Sequence, residues 1–159
     1  MIMVSSCLAG IPCRYNGTHR LSEQVARLVE EGAAVVVCPE LLGGLETPRE
    51  PAEIVGGSGA DVLAGTAYIK TRTGEDVTDM YVAGAYRTLE RARQVQADTV
   101  VLKEHSPSCG SAFIYDGTFS GTTLLGEGVT AVLLRQAGFH VQSEHEFMDW
   151  LAQQHSGSH

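Results

Sequence analysis

Four short apolar runs stand at wide intervals along the chain: Met1 to Ser6, Ala33 to Val37, Thr99 to Leu102 and Phe139 to Val141. Ala33 to Val37 is continuously apolar instead of alternating, which predicts a parallel strand covered on both faces, and the other three read as further strands. Helical spacing fills the stretches between them. Leu21, Val25, Leu28 and Val29 mark one helix, with Ser22 as its N-cap and Gly32 as its stop. The longest helix spans about 77 to 96, capped by Asp76 or Thr78. Its inner stripe is Val82, Ala85, Leu89 and Ala92, and Arg87, Glu90, Arg91 and Arg93 form a solvated face. A third helix covers about 129 to 137 and ends at Gly138. A fourth is capped by Ser143 and turns Phe147, Trp150 and Leu151 inward.

Residues 52 to 72 lack either period and read as short extended pieces, ending in a hairpin near Lys70 to Gly74. Ala112 to Tyr115 reads as one more brief strand. The order β-α-β, insertion, α-β-α-β-α predicts an α/β fold of the three-layer, Rossmann-like type. Its sheet is mainly parallel with helices on both faces, and a small extended insertion follows the second strand. One domain is expected over 1–152, with a flexible tail at 153–159. Right-handed crossovers put the carboxyl ends of all the parallel strands on one edge, where open α/β sheets bind ligands.

Three predicted strands end in loops that carry a cysteine beside Gly or Pro. Cys7 follows the first, Cys38 the second, and Cys109 the third within Ser106-Pro107-Ser108-Cys109-Gly110. Three thiols from distant sequence can therefore converge on one edge. Cys13 lies in mid-loop after Pro12 and is read as a non-ligand. No C-x₂-C pair occurs, which excludes zinc fingers, ribbons and ferredoxin-type spacings.

Composition narrows the classes. The net charge of −8 argues against general nucleic-acid binding. No apolar run is long enough to span a bilayer, and the N-terminus lacks the features of a signal peptide. A cytoplasmic location is expected, and in a reducing compartment cysteines serve as metal ligands, reactive thiols or core residues more often than as disulfides. The sequence gives no indication of oligomeric state.

Thiolates are soft ligands suited to zinc, copper(I) or iron–sulfur clusters. Three of them would leave one iron of a cubane cluster open to substrate. Glu40 lies close enough to Cys38 to shuttle protons, or it is simply a first-turn carboxylate favoured by a helix dipole. Ser106 and Ser108 orient a substrate or bond their own backbone. Gly43, Gly44 and Gly110 would let backbone approach a flat ring. Arg14 and Arg49 bind an anion or pair with Glu50 or Glu53. A Tyr-Asn-Gly at 15–17 echoes Tyr-Asp-Gly at 115–117, by repetition or by chance. Three rival readings use the same residues: a cluster-binding module without turnover, a metal-free enzyme with Cys109 as nucleophile and His105 or Glu40 as base, and a zinc site on all four cysteines.

Taken together, several motifs resemble the family named domain of unknown function 523. They are Ser6-Cys7-Leu8-Ala9-Gly10, Cys13-Arg14-Tyr15-Asn16-Gly17, Cys38-Pro39-Glu40, Gly43-Gly44-Leu45, Ser106-Pro107-Ser108-Cys109-Gly110 and Tyr115 to Gly121. The resemblance runs from about residue 1 to residue 142, and some members of the family are thiouracil desulfidases. Asn16 stands where the family often has Asp, and Ala9 where Leu is common. The resemblance implies a [4Fe-4S] cluster held by Cys7, Cys38 and Cys109, with Glu40 as the proton-transfer carboxylate and Ser106 as a site serine. The implied reaction is a non-redox desulfuration of a 2-thiouracil-like base or nucleoside. Substrate sulfur would bind the open iron, water would attack the carbon, and hydrosulfide would be released. Gly43, Gly44, Ser108 and Gly110 are the expected substrate contacts.

Overall fold

The computed structural model describes the backbone of residues 1–6, 16–46, 50–103 and 106–157, and side chains from residue 23 to residue 153 within those segments as well as those of 1–6. Cys7, Cys13, Arg14, Arg49 and His105 lie outside the described residues.

The elements in chain order are β1 (Ile2–Ser5), α1 (Asn16–Glu30), β2 (Ala34–Val37), α2 (Pro39–Leu42), β3 (Ala52–Val55), α3 (Gly59–Ala64) and β4 (Tyr68–Thr71). They continue with α4 (Thr78–Gln94), β5 (Thr99–Leu102), β6 (Phe113–Tyr115), β7 (Thr123–Leu125), α5 (Val129–Gln136), β8 (His140–Ser143) and α6 (Glu144–Gly157). The four expected strands form one parallel sheet in the order β2-β1-β5-β8. Successive side chains point to opposite faces. Met3, Val100 and Leu102 therefore join Tyr81, Ala85, Leu89 and Leu134 on one side. Val4 and Val101 join Val25 and Phe147 on the other. Helices thus cover both faces.

The winding reverses between β1 and β5. The chain leaves β1 toward β2, then crosses back over β1 to β5 and on to β8. The carboxyl edge beside that reversal is the expected ligand crevice. The ends of β1 and β2 are level there: Ser5 pairs with Val37, and the Ser6 N–H donates to the Val37 carbonyl at 2.7 Å.

The insertion is richer than a hairpin. β3 and β4 pair antiparallel, but α3 stands between them. Ser58 and Asp61 form a capping box at its start, with the Ser58 N–H donating to Asp61 Oδ2 at 2.8 Å. Gly56, Gly57 and Gly59 obscure that Ser-x-x-Asp signal in the sequence. A second small ribbon, β6 with β7, follows the cysteine loop. Other departures are local. α1 begins at Asn16, so Ser22 falls inside the helix, and Asn16-Gly17 is helical while Asp116-Gly117 is not; the tyrosine-centred echo has no shared backbone form. Trp150 is exposed and stacks on Phe147 with centroids 5.7 Å apart. α6 carries helical backbone on through residues 153–157. Among the described residues, no helix is long and apolar enough to cross a membrane.

One contact fixes the short helix α2, which bears Glu40 and is preceded by Cys38. A Cβ at Gly43 would overlap the Met80 carbonyl oxygen, and one at Gly84 would overlap the Pro39 carbonyl oxygen. Backbone meets backbone here because neither residue has a side chain. Arg87, expected to be merely solvated, reaches back from α4 and donates to the Leu42 carbonyl at the end of α2. Overpacking costs about 1–3 kcal/mol. Gly84→Ala should therefore lower unfolding free energy by about 2 kcal/mol or more in urea denaturation, while Ala83→Gly, one position along, should cost only about 1 kcal/mol.

The N-cap of α4 is Val77, which has no side-chain cap, so neither Asp76 nor Thr78, expected in that role, fills it. The exposed Asp76 instead closes the turn before the helix, its Oδ1 accepting the Thr78 N–H at 2.9 Å. The Thr78 hydroxyl first, then the Thr78 N–H, hold the Asp76 carboxyl below its ordinary 3.8, opposed by slight desolvation and with a lesser pull from Lys70. A depressed folded pKa means that this contact stabilises the fold above the unfolded value and is lost as pH falls through the folded one. The stability difference between wild type and Asp76→Asn should be present at neutral pH and vanish on acidification below about 3.8. Thermal melts across that range measure it.

Candidate active site

Cys38 leaves β2 in extended conformation, with φ −125° and ψ 101°, as the N-cap of α2. Pro39 at the first helical position has its φ already fixed for a helix and lacks only an N–H that would have no intrahelical partner. Glu40 follows in the first turn, where the helix dipole favours a carboxylate. A β-branched strand, a cysteine and a proline thus set Cys38 and Glu40 on one turn of backbone.

Residues 106–110 form a closed turn after β5. The Gly110 N–H donates to the Ser106 carbonyl at 2.9 Å. Ser106 Oγ accepts the N–H groups of Ser108 at 3.0 Å and Cys109 at 3.2 Å. Its own proton goes to Glu40 Oε1 at 3.0 Å. One hydroxyl therefore closes the cysteine loop and binds it to α2. Of the functions weighed for Ser106 in the sequence, local backbone bonding is the one this geometry displays.

Helix α5 holds this loop from behind. The N–H groups of Val129 and Thr130 donate to the carbonyls of Pro107 and Ser108, each at 2.9 Å, and the Gly128 N–H donates to Gly110 at 2.8 Å. The first N–H groups of a helix lack intrahelical acceptors, and here the loop supplies them. Gly128 must be glycine, because its Cβ would stand 2.5 Å from the Ser108 carbonyl carbon. Ser108 is buried, with Oγ 2.6 Å from Thr130 Oγ1 and 3.6 Å from Cys109 Sγ.

A cleft of about 760 Å³ opens beside these groups. Glu40, Ser106 and Pro107 line it together with Lys103, Arg72, Glu50, Glu53, Tyr81, Tyr115 and Phe119. Lys103 is half-exposed and forms a 2.6 Å ion pair with buried Glu144 at the start of α6. Of these, Glu40 and Ser106 were singled out in the sequence for chemistry, whereas Arg72, Tyr81 and Phe119 were not given roles. A shared strand edge and a folded insertion bring them in, and no local motif marks Arg72 or Tyr81.

The expected substrate contacts fare differently. Ser108 is committed to Thr130, and Gly43 is packed under α4. A Cβ at Gly110 would meet the Phe113 carbonyl at 2.6 Å, so this glycine serves the turn's own packing. Gly44 is exposed with φ +94°, at the stop of α2. None of the four is among the residues that line the cleft. Glu53 accepts backbone N–H groups from the 117–119 segment and Glu50 accepts the Thr73 hydroxyl at 2.7 Å; the arginines considered as their partners lie outside the described residues.

Cys38 is half-buried and Cys109 buried, and both are thiols. Sulfur donors following β2 and β5, on either side of β1, are chemically suited to a soft iron–sulfur centre. The third expected donor, Cys7, lies just past the last described residue of the β1 end. Among the described residues, no three His, Cys, Asp or Glu side chains are grouped to hold a metal ion.

The 2-thiouracil desulfurase family profile matches residues 2–146. The chain belongs to that family. It is 62% identical over 151 residues to YbbK of Bacillus subtilis (strain 168), an uncharacterized protein, covering 95% of this chain and all of that one. It also resembles the solved structure of the [4Fe-4S]-dependent thiouracil desulfidase TudS, of the domain of unknown function 523 type. That likeness has a TM-score of 0.75 and 36% identity over 96% of this chain and 97% of that one. The family and the parallel α/β architecture expected from the sequence are thus both borne out.

Removing the Ser106 hydroxyl would take the Oγ acceptor from two loop N–H groups and the Oγ donor from Glu40. Leaving buried donors unpaired costs about 1–3 kcal/mol. Ser106→Ala should lower stability by that order and speed amide exchange at Ser108 and Cys109, while Ser106→Thr should retain most of both. Denaturant titration and hydrogen exchange give the two readouts.

Proposed function

We propose that this protein is an enzyme that removes sulfur from a thiolated pyrimidine, a 2-thiouracil-like base or its nucleoside. It would do so without net redox change, as water replaces sulfur on carbon and hydrosulfide leaves. The observation that carries this reading is the Ser106–Glu40 hydrogen bond at 3.0 Å. It joins the loop of Cys109 to the helix that begins at Cys38, on the wall of an open cleft in a member of a desulfurase family.

Cys7, Cys38 and Cys109 would hold a [4Fe-4S] cluster. Such a cluster, when bound, supplies a soft Lewis acid that attracts a thiocarbonyl sulfur and polarises its carbon. The chain's own groups do the rest. Glu40 takes a proton from the attacking water and returns it to the ring nitrogen or the departing sulfur. Ser106 fixes the carboxylate's orientation through its donated hydrogen bond. Lys103, tethered to Glu144, adds a cation to the wall and favours an anion in the cleft. Tyr81, Tyr115 and Phe119 give the wall flat apolar surface that suits a planar ring. The cysteines bind and do not attack, which separates this reading from a thiol enzyme.

Anaerobic reconstitution with iron and sulfide, followed by a screen of thiolated bases and nucleosides for released sulfide, tests the proposal. Glu40→Gln should reduce turnover by about 100-fold or more with iron content unchanged. Cys38→Ala and Cys109→Ala should each lose iron as well as turnover. Full activity without iron, or iron binding without sulfide release from any thiopyrimidine, would overturn it.

A further inference from the structure

The segment from Asp116 to Gly121 crosses the insertion and contributes Phe119 and Gly121 to the cleft wall. Two backbone features are unusual there. Phe119 has φ +57°, a left-handed conformation that costs a bulky residue energy. Gly117 has φ +91°, and a Cβ on it would stand 2.6 Å from the Ile54 carbonyl, so the segment presses directly on β3.

A single carboxylate holds both residues. Glu53, in the middle of β3 and 7% exposed, accepts the Gly117 N–H at 2.9 Å and the Phe119 N–H at 3.1 Å, both on Oε1. Hydrogen bonds to an ionised acceptor are the strong kind, and they are stronger still out of water. The clamp therefore offsets the strained backbone at Phe119. In that conformation the ring comes to lie half-buried at the cleft, with the Arg72 guanidinium 5.9 Å from its centroid. A left-handed residue normally calls for glycine or asparagine. A phenylalanine held there by a buried carboxylate suggests that the ring, not the turn, is what the fold maintains.

We propose that Phe119 is a specificity-determining wall of the substrate cleft and that Glu53 is the positioning residue that holds it there. Phe119 contacts the planar, non-reacting part of the substrate. Glu53 acts only through the Gly117 and Phe119 backbone and takes no part in proton transfer. The proposal deepens the desulfidase reading and rests on it for its substrate, but the clamp itself does not.

The test uses the reconstituted holoenzyme and 2-thiouracil, with kcat and KM from sulfide release and amide exchange at positions 117 and 119. Glu53→Ala should speed exchange at both amides and raise KM about three- to tenfold, with kcat changed less than about twofold. Glu53→Gln, which keeps an acceptor oxygen, should recover most of the loss. Phe119→Gly should raise KM equally without lowering thermal stability, because glycine adopts φ +57° freely. The double variant Glu53→Ala/Phe119→Gly should be no worse in KM than either single one.

Unchanged exchange in Glu53→Ala overturns the clamp. Faster exchange with unchanged KM, a fall in kcat alone, or additive KM effects overturn the positioning role. If the wild-type enzyme releases no sulfide, the desulfidase reading falls. The same four proteins are then compared by calorimetric Kd for 2-thiouracil, and absent or unaltered binding overturns the wall.

Discussion

The backbone contact between Gly43 and Gly84 is the constraint on which the site depends. A four-residue helix has too few internal hydrogen bonds to stand alone. α2 is held instead by lying directly on α4, at a distance that no side chain permits. α4 is the longest helix of the fold and is packed against the parallel sheet through Ala85, Leu89 and Ala92. The rigidity of the core therefore passes through one glycine pair to Cys38 and Glu40. A carboxylate on a lone turn would otherwise be free to wander, and this one is held.

The second half of the site is built by a different device. The 106–110 turn owes its shape to hydrogen bonds from three directions. Ser106 closes it from within, α5 and the Gly128 before it donate four N–H groups from behind, and Glu40 accepts from it in front. Gly128 lets α5 come close enough to do this. The consequence is a thiol, Cys109, whose backbone is fixed before any ligand arrives. Cleft, carboxylate and cysteine loop thus form one mechanical unit, and the Ser106–Glu40 bond is the seam between its halves.

Much of the fold was legible along the chain. Ala34 to Val37 and Thr99 to Leu102 were visible as strands because their runs of valine and leucine lack helical spacing and suit a parallel sheet. Ser143 was visible as a cap, and Glu146 completes a capping box with it. α3 was not visible, because its Ser58-Asp61 signal lies among glycines that otherwise mark loops. Gly43 and Gly110 were legible as close approaches but not as to what approaches them. The neighbours proved to be α4 and the loop's own backbone, where a flat ligand had been expected.

The sequence by itself determined that Cys38, Glu40, Ser106 and Cys109 would follow the carboxyl ends of parallel strands. It could do so because strand period, crossover handedness and motif spacing are properties of short stretches. It also determined the family, through motifs that keep their form whatever surrounds them. Only the tertiary structure decided which atoms meet. That Ser106 gives its proton to Glu40, 66 residues away, depends on α2 and the cysteine loop being braced by separate helices. That Glu53 holds Phe119 depends on the insertion folding back over its own strand. Pairings of this kind are set by close packing over long separations, and no local pattern of residues encodes a distance.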